Sequence, residues 1–126
     1  FSMGATTTWD VFALRPQYFY GYMPMAGESW IGREEEADSP RIAELVTAGV
    51  ERAQYGPQDF RVLASVGSED PALWDMAPQI DELREDYPDL MTEESLQMWI
   101  DEGESHSTAS VANQVAHNLP LLFPGK

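Results

Sequence analysis

The hydrophobic positions of this chain follow two rhythms that alternate from one end to the other. Ala5, Trp9, Phe12 and Ala13 recur at helical spacing and predict a helix over 4–14, which Arg15-Pro16 ends. Thr6, Thr7 and Thr8 are modest helix formers, so packing must hold that helix. The aromatic run 18–27 predicts a short buried strand, centred on 20–23 because Pro24 loosens the pairing. An acidic loop over 28–38 contains the isolated Trp30. Ser39-Pro40 then caps a helix carrying Ile42, Leu45, Val46, Gly49 and Ala53, stopped by Tyr55-Gly56-Pro57.

The stretch 60–67 is nearly continuously apolar, as a strand buried on both faces should be. Asp70-Pro71 opens a helical stretch through Leu73, Trp74, Ala77, Ile80, Leu83 and Tyr87, with Pro78 expected to break it into a turn and a second helix. Residues 96–101 form another short strand, followed by a loop over 103–106. Ser107 or Thr108 can cap a last helix with an apolar stripe at Val111, Val115, Leu119 and Leu122. Helix and strand alternate throughout, which predicts an α/β fold with about three parallel strands and flanking helices.

At 126 residues, 43% of them hydrophobic, the chain has the size and composition to bury a core. Its net charge of −15 repels phosphate backbones and argues against nucleic acid or an anionic membrane as partner. No apolar run approaches the ~20 residues that span a bilayer. The absence of cysteine removes disulfides, thiolate-bound zinc and a cysteine nucleophile, but fits a secreted and a cytosolic protein equally. Glu34, Glu35, Glu36 and Asp38 lack the alternating, glycine-containing pattern of a calcium loop and read as a solvated acidic loop. No phosphate-cradling glycine motif is present, and no cofactor or metal is expected.

The chemistry centres on Phe1-Ser2-Met3-Gly4. With a glycine in front it would be the tail of a G-x-S-x-G elbow, in which a strand turns sharply into a helix and exposes a serine oxygen. An ordinary surface turn satisfies the same four residues. Acyl transfer by serine also needs a histidine base and a carboxylate to orient it. Asp70 follows the strand 60–67 and His106 follows the strand 96–101, giving the chain order serine, acid, histidine of α/β-hydrolases. Asp70 would also serve as a plain helix cap, Glu69 is an adjacent carboxylate, and His106 could be a solvated loop residue. His117, within the last helix, reads as surface.

Three stretches, 1–9 (FSMGATTTW), 22–30 (YMPMAGESW) and 67–70 (GSED), are similar to the feruloyl esterase modules attached to bacterial xylanases. The segments 76–80 (MAPQI), 103–106 (GESH) and 119–123 (LPLLF) continue the likeness in the same order. The resemblance implies that 1–126 is the C-terminal half of a single α/β-hydrolase esterase domain whose upstream half is absent from this chain. It implies Ser2, Asp70 and His106 as the catalytic triad and the Met3 N–H as one oxyanion donor, the second coming from upstream. The substrate would be an acyl ester, feruloyl-type, on a plant polysaccharide such as xylan, with Trp30 as a candidate to stack on the acyl group or a sugar ring. Two features depart from the family pattern. Ser107-Thr108-Ala109 stand where aromatic residues usually follow the histidine, and Glu28-Ser29 stand where Asp and another aromatic usually precede Trp30. An acyltransferase of the same fold, or a silent relative that binds carbohydrate or protein, are the alternatives.

Overall fold

The apolar run 60–67 becomes the central strand of the molecule. A computed structural model describes residues 1–31 and 41–123 of the chain. Its elements in order are α1 (Met3–Leu14), a 3₁₀ turn (Pro16–Tyr18), β1 (Gly21–Tyr22), α2 (Ile42–Arg52), β2 (Arg61–Gly67), α3 (Leu73–Asp86), β3 (Leu96–Asp101) and α4 (Thr108–Leu122). The three strands form one sheet in the order β1-β2-β3, with both pairings parallel. Gly21 stands beside Arg61, Val62 beside Leu96, and Gly67 beside Asp101.

Because strand side chains alternate, that register sorts the sheet into two faces. Val62, Ala64, Val66, Leu96 and Tyr22 face one way. They pack with Trp9 and Phe12 of α1, Ala43, Val46 and Val50 of α2, and Met76, Ile80 and Leu83 of α3. Phe12 sits at the centre of this layer, its ring 5.1 Å from both Tyr22 and Phe60. Leu63, Ser65 and Gly67 face the other way, toward α4. Burying Phe12 and Trp9 alone contributes on the order of 2 to 3 kcal/mol each by area, which explains how a threonine-rich helix of modest propensity holds.

Several expectations are corrected. Pro78 does not break the helix: α3 runs unbroken through it. The carbonyl of Trp74 loses its N–H partner there, but Pro78 is exposed and Trp74 is 81% exposed, so the missing bond falls on the solvent side. The buried stripe of α4 is not Val111, Val115, Leu119 and Leu122 but Ser110, Gln114 and Asn118, about one residue around the helix. The sheet face beneath α4 carries Ser65 and Asp101 beside Leu63, and directional hydrogen bonds joining the two polar residues to α4 go with this helix rotation. β1 pairs over two residues, narrower than 20–23, and contact with β2 resumes as a single bridge between Met25 and Ser65. The Ser39-Pro40 cap and the acidic run 34–38 lie outside the described residues, and Arg41 is the N-cap of α2. Ser107 rather than Thr108 caps α4, its hydroxyl accepting from the Ser110 N–H at 3.2 Å. Among the described residues no helix is long and apolar enough to cross a membrane.

Candidate active site

Ser2 sits immediately before α1 with φ 57° and ψ −117°, a left-handed conformation that costs a non-glycine residue about 1 to 3 kcal/mol. Neighbouring bonds hold it there. The Ser2 N–H donates to the Met25 carbonyl at 2.9 Å, and the Ser2 carbonyl accepts from Ala5 N–H at 2.9 Å as the first bond of the helix. The segment after β1 presses directly on this turn. Gly27 is required by the approach: a Cβ there would lie 2.7 Å from the Ser2 carbonyl and 2.8 Å from the Ala5 methyl. Trp9 locks the segment from the other side by donating its indole N–H to the Gly27 carbonyl at 3.0 Å. The Ser2 hydroxyl does not cap α1, and the Met3 N–H, first in the helix, finds no acceptor among the described residues.

Asp70 follows the end of β2 and is 1% exposed. Its Oδ1 accepts from the Ala72 N–H at 2.9 Å, an Asx-type turn ahead of the helix and not the cap expected of an Asp before Pro71, because α3 starts at Leu73 with Ala72 as its N-cap. Its Oδ2 accepts from His106 Nδ1 at 2.7 Å, a charge-assisted length when the ring is protonated. One carboxylate therefore holds both the turn and the imidazole, and the adjacent Glu69 side chain is exposed. His106 keeps 40% of its side chain exposed and packs against the Phe1 ring at a centroid distance of 4.5 Å. His117 lies away from this pair, stacked on Trp99 at 4.1 Å.

Ser2, Met3, Asp70 and His106 line one cleft of about 420 Å³, together with Trp30, Glu28 and Asp75. It opens at the carboxyl ends of the strands, where open α/β sheets bind their ligands. No hydrogen bond joins Ser2 to His106 among the described residues, and such contacts often tighten only around substrate. Trp30 is 43% exposed, and its indole N–H donates to Glu28 Oε1 at 2.6 Å. Gln79 fixes the residue before it, accepting from Ser29 N–H at 3.0 Å and donating to its carbonyl at 3.3 Å. Trp30 also lines a neighbouring cavity of about 350 Å³, so it stands between two concavities. Reading the sequence missed Gly27, whose turn-forming company gave no sign of which backbone it would meet, and the Phe1 ring against His106.

Three parallel strands with helices on both faces define the C-terminal part of an α/β-hydrolase fold. The chain resembles the feruloyl esterase modules in sequence and in fold. It is 28% identical over 127 aligned residues, 98% of its length, to the endo-1,4-β-xylanase Y of Acetivibrio thermocellus. It superposes with a TM-score of 0.82 and 26% identity on a serine-to-alanine mutant of the feruloyl esterase module from Clostridium thermocellum complexed with sinapinate. A second solved chain, described as FAE, superposes with a TM-score of 0.79 and 28% identity. Each superposition covers 96% of this chain and 43% of the solved one, and the chain spans 11% of the xylanase. No family model matches it.

Proposed function

We propose that this chain is the later half of a single esterase domain that hydrolyses acyl esters, feruloyl-type, on plant polysaccharide such as xylan. The observation that carries the reading is the buried Asp70 carboxylate bonded to His106 Nδ1 beside the strained Ser2 in one cleft. With its Nδ1–H held by Asp70, His106 presents a basic Nε2. In this reading Nε2 takes the Ser2 hydroxyl proton as Oγ bonds to the acyl carbon, and the carbonyl electron pair moves onto oxygen. The Met3 N–H donates to that oxyanion. His106 then returns the proton to the leaving alcohol oxygen, and water releases the acid from the acyl-enzyme by the same steps. Asp70 orients the imidazole and stabilises the imidazolium without taking its proton.

The half-domain part of the reading is supported by β1, a two-residue strand at the edge of the sheet with Tyr18, Phe19 and Tyr20 exposed beside it. The Ser2 N–H already donates to Met25, the way a strand entering Ser2 would pair along this edge. A fluorophosphonate probe tests both parts. Labelling at Ser2 is expected in the full-length protein and is expected to fail in residues 1–126 alone. A folded full-length protein that resists the probe would refute the esterase.

A further inference from the structure

Behind the Asp70–His106 pair lies a chain of buried polar groups that ester hydrolysis does not itself require. Ser65 Oγ, on β2, donates to Gln114 Oε1 at 2.8 Å. Gln114 Nε2 donates to Ser110 Oγ at 2.8 Å, and Ser110 Oγ donates to Asp101 Oδ2 at 3.1 Å. Asn113 Nδ2 donates to the same Asp101 oxygen at 3.1 Å. Ser65, Ser110 and Gln114 are fully buried and Asp101 is 7% exposed. Every donor points the same way, and the series ends on a carboxylate at the last residue of β3.

The backbone of that residue is tied to both arms of the site. The Asp101 carbonyl accepts from Ser68 N–H at 3.0 Å, on the arm leading to Asp70, and from Glu104 N–H at 3.2 Å, on the arm leading to His106. Two further bonds cross between the arms: Glu69 N–H to the Glu104 carbonyl at 2.9 Å, and Gly103 N–H to Ser68 Oγ at 2.7 Å. His106 leaves β3 from this knot and enters α4 at Ser107. The Asp101 side chain fastens β3 to the first turns of α4, so it fixes both ends of the loop that carries the histidine. Holding the sheet to the helix would need only apolar groups of similar volume, which are often as stabilising as buried charge. A buried polar network instead specifies one arrangement, because each misplaced partner is left unpaired.

We propose that Asp101 is a positioning residue: through its side-chain bonds to Ser110 and Asn113 and its backbone bonds to Ser68 and Glu104, it sets the placement of His106 relative to Asp70. The proposal rests on the esterase reading for its kinetic consequence. It acts through His106 and touches neither Ser2 nor substrate.

The test is Asp101→Ala in the full-length protein, with turnover of a small synthetic ester normalised to fluorophosphonate-titrated sites. The kcat is expected to fall about tenfold, equal to about 1.4 kcal/mol. KM should change by less than about twofold, because the alanine alters no group that contacts substrate. Asp101→Asn can place its amide oxygen at the Oδ2 position, accept from both donors and restore most of kcat. If Asp101→Ala fails to fold, Asn113→Ala on the exposed side of α4 removes one donor and should lower kcat about threefold. An unchanged kcat per titrated site in the folded variant overturns the proposal, even if its melting temperature falls. A second readout does not depend on esterase chemistry: amide exchange at Gly103 and Glu104 should accelerate in Asp101→Ala, and unchanged exchange would overturn the positioning role. A wild-type protein that neither turns over ester nor takes the probe would sink the esterase reading alone, and the exchange measurement would still decide this one.

Discussion

Replacing Asp70 by asparagine tests the site at its most constrained point. The two carboxylate oxygens face different demands: Oδ1 accepts from the Ala72 N–H and Oδ2 from His106. An amide has only one oxygen to offer. If that oxygen stays on Ala72, the NH₂ group faces His106 Nδ1, and the imidazole must carry its proton on Nε2. That tautomer cannot accept a proton from Ser2. Turning the amide over restores the productive tautomer but sets its NH₂ against the Ala72 N–H, at a cost of about 1 to 3 kcal/mol for unmade buried bonds. The turned state alone would limit the loss to as much as about 10²-fold. Losing the negative charge beside a developing imidazolium deepens it toward the roughly 10⁴-fold reached when tautomer and charge are both wrong. The expected fall in kcat for Asp70→Asn therefore lies between these limits, with KM little changed. The assay is ester turnover by the full-length variant, with circular dichroism to confirm the fold. Activity within about tenfold of wild type, or less than about 1.4 kcal/mol of lost stabilisation, would refute the roles given to Asp70 and His106.

Two further substitutions probe how the site is held. Gly27→Ala places a methyl against the Ser2 carbonyl and Ala5, and should cost about 1 to 3 kcal/mol of stability while displacing Ser2, read as a lower melting temperature and slower probe labelling; unchanged values would show that the turn yields freely. Tyr22 is buried with its hydroxyl donating to the Phe19 carbonyl at 3.0 Å and the Pro16 carbonyl at 3.3 Å, and burial, with a smaller contribution from Tyr55, pushes its pKa up from 10.0 to about 12. Between those values the unfolded chain has lost this proton and the folded chain keeps it, so stability should fall with rising pH by about 1.4 kcal/mol per unit. Denaturant melts across that window should show the decline in wild type and lose it in Tyr22→Phe; an equal decline in both would place its origin elsewhere.

The strands and helices were legible wherever burial is apolar. Phe12 and Trp9 announced α1, and the run 60–67 announced β2, because water exclusion leaves its period in the residue types. Asp70 and His106 were legible as loop residues after two strands, since parallel connectivity brings such loops to one end of the sheet. What escaped depends on partners far away in sequence. Pro78 reads as a breaker unless one knows that its turn faces water. Nothing near Gly27 signals that the Ser2 carbonyl will lie against it. Asp101 reads, with Glu102 and Glu104, as an acid near His106 that could act on the histidine, repel acidic substrates or be plain rim charge, and its bonds to Ser110, Asn113 and the two arms it ties are not visible in the sequence.

The misread face of α4 follows from the same difference in forces. On the α1–α3 side the sheet is held by apolar contact, which is non-directional and tolerates small rotations of each helix. On the α4 side Ser65, Gln114, Ser110 and Asp101 meet atom to atom, and a rotation by one residue would part them at about 1 to 3 kcal/mol for each group left unpaired, a larger loss than the one donor of this stripe, Asn118 Nδ2, that lies buried without a partner among the described residues. Set against these groups, Val111, Val115, Leu119 and Leu122 would gain only the part of their area that is still exposed, because they are already partly buried at this rotation. The polar stripe therefore wins, and α4 is fixed in rotation. Because α4 begins two residues after His106, a helix fixed in rotation also fixes where the histidine loop must end. An apolar stripe in its place would hold α4 as firmly while leaving that end free to shift, which is the distinction that Asp101→Ala is designed to expose.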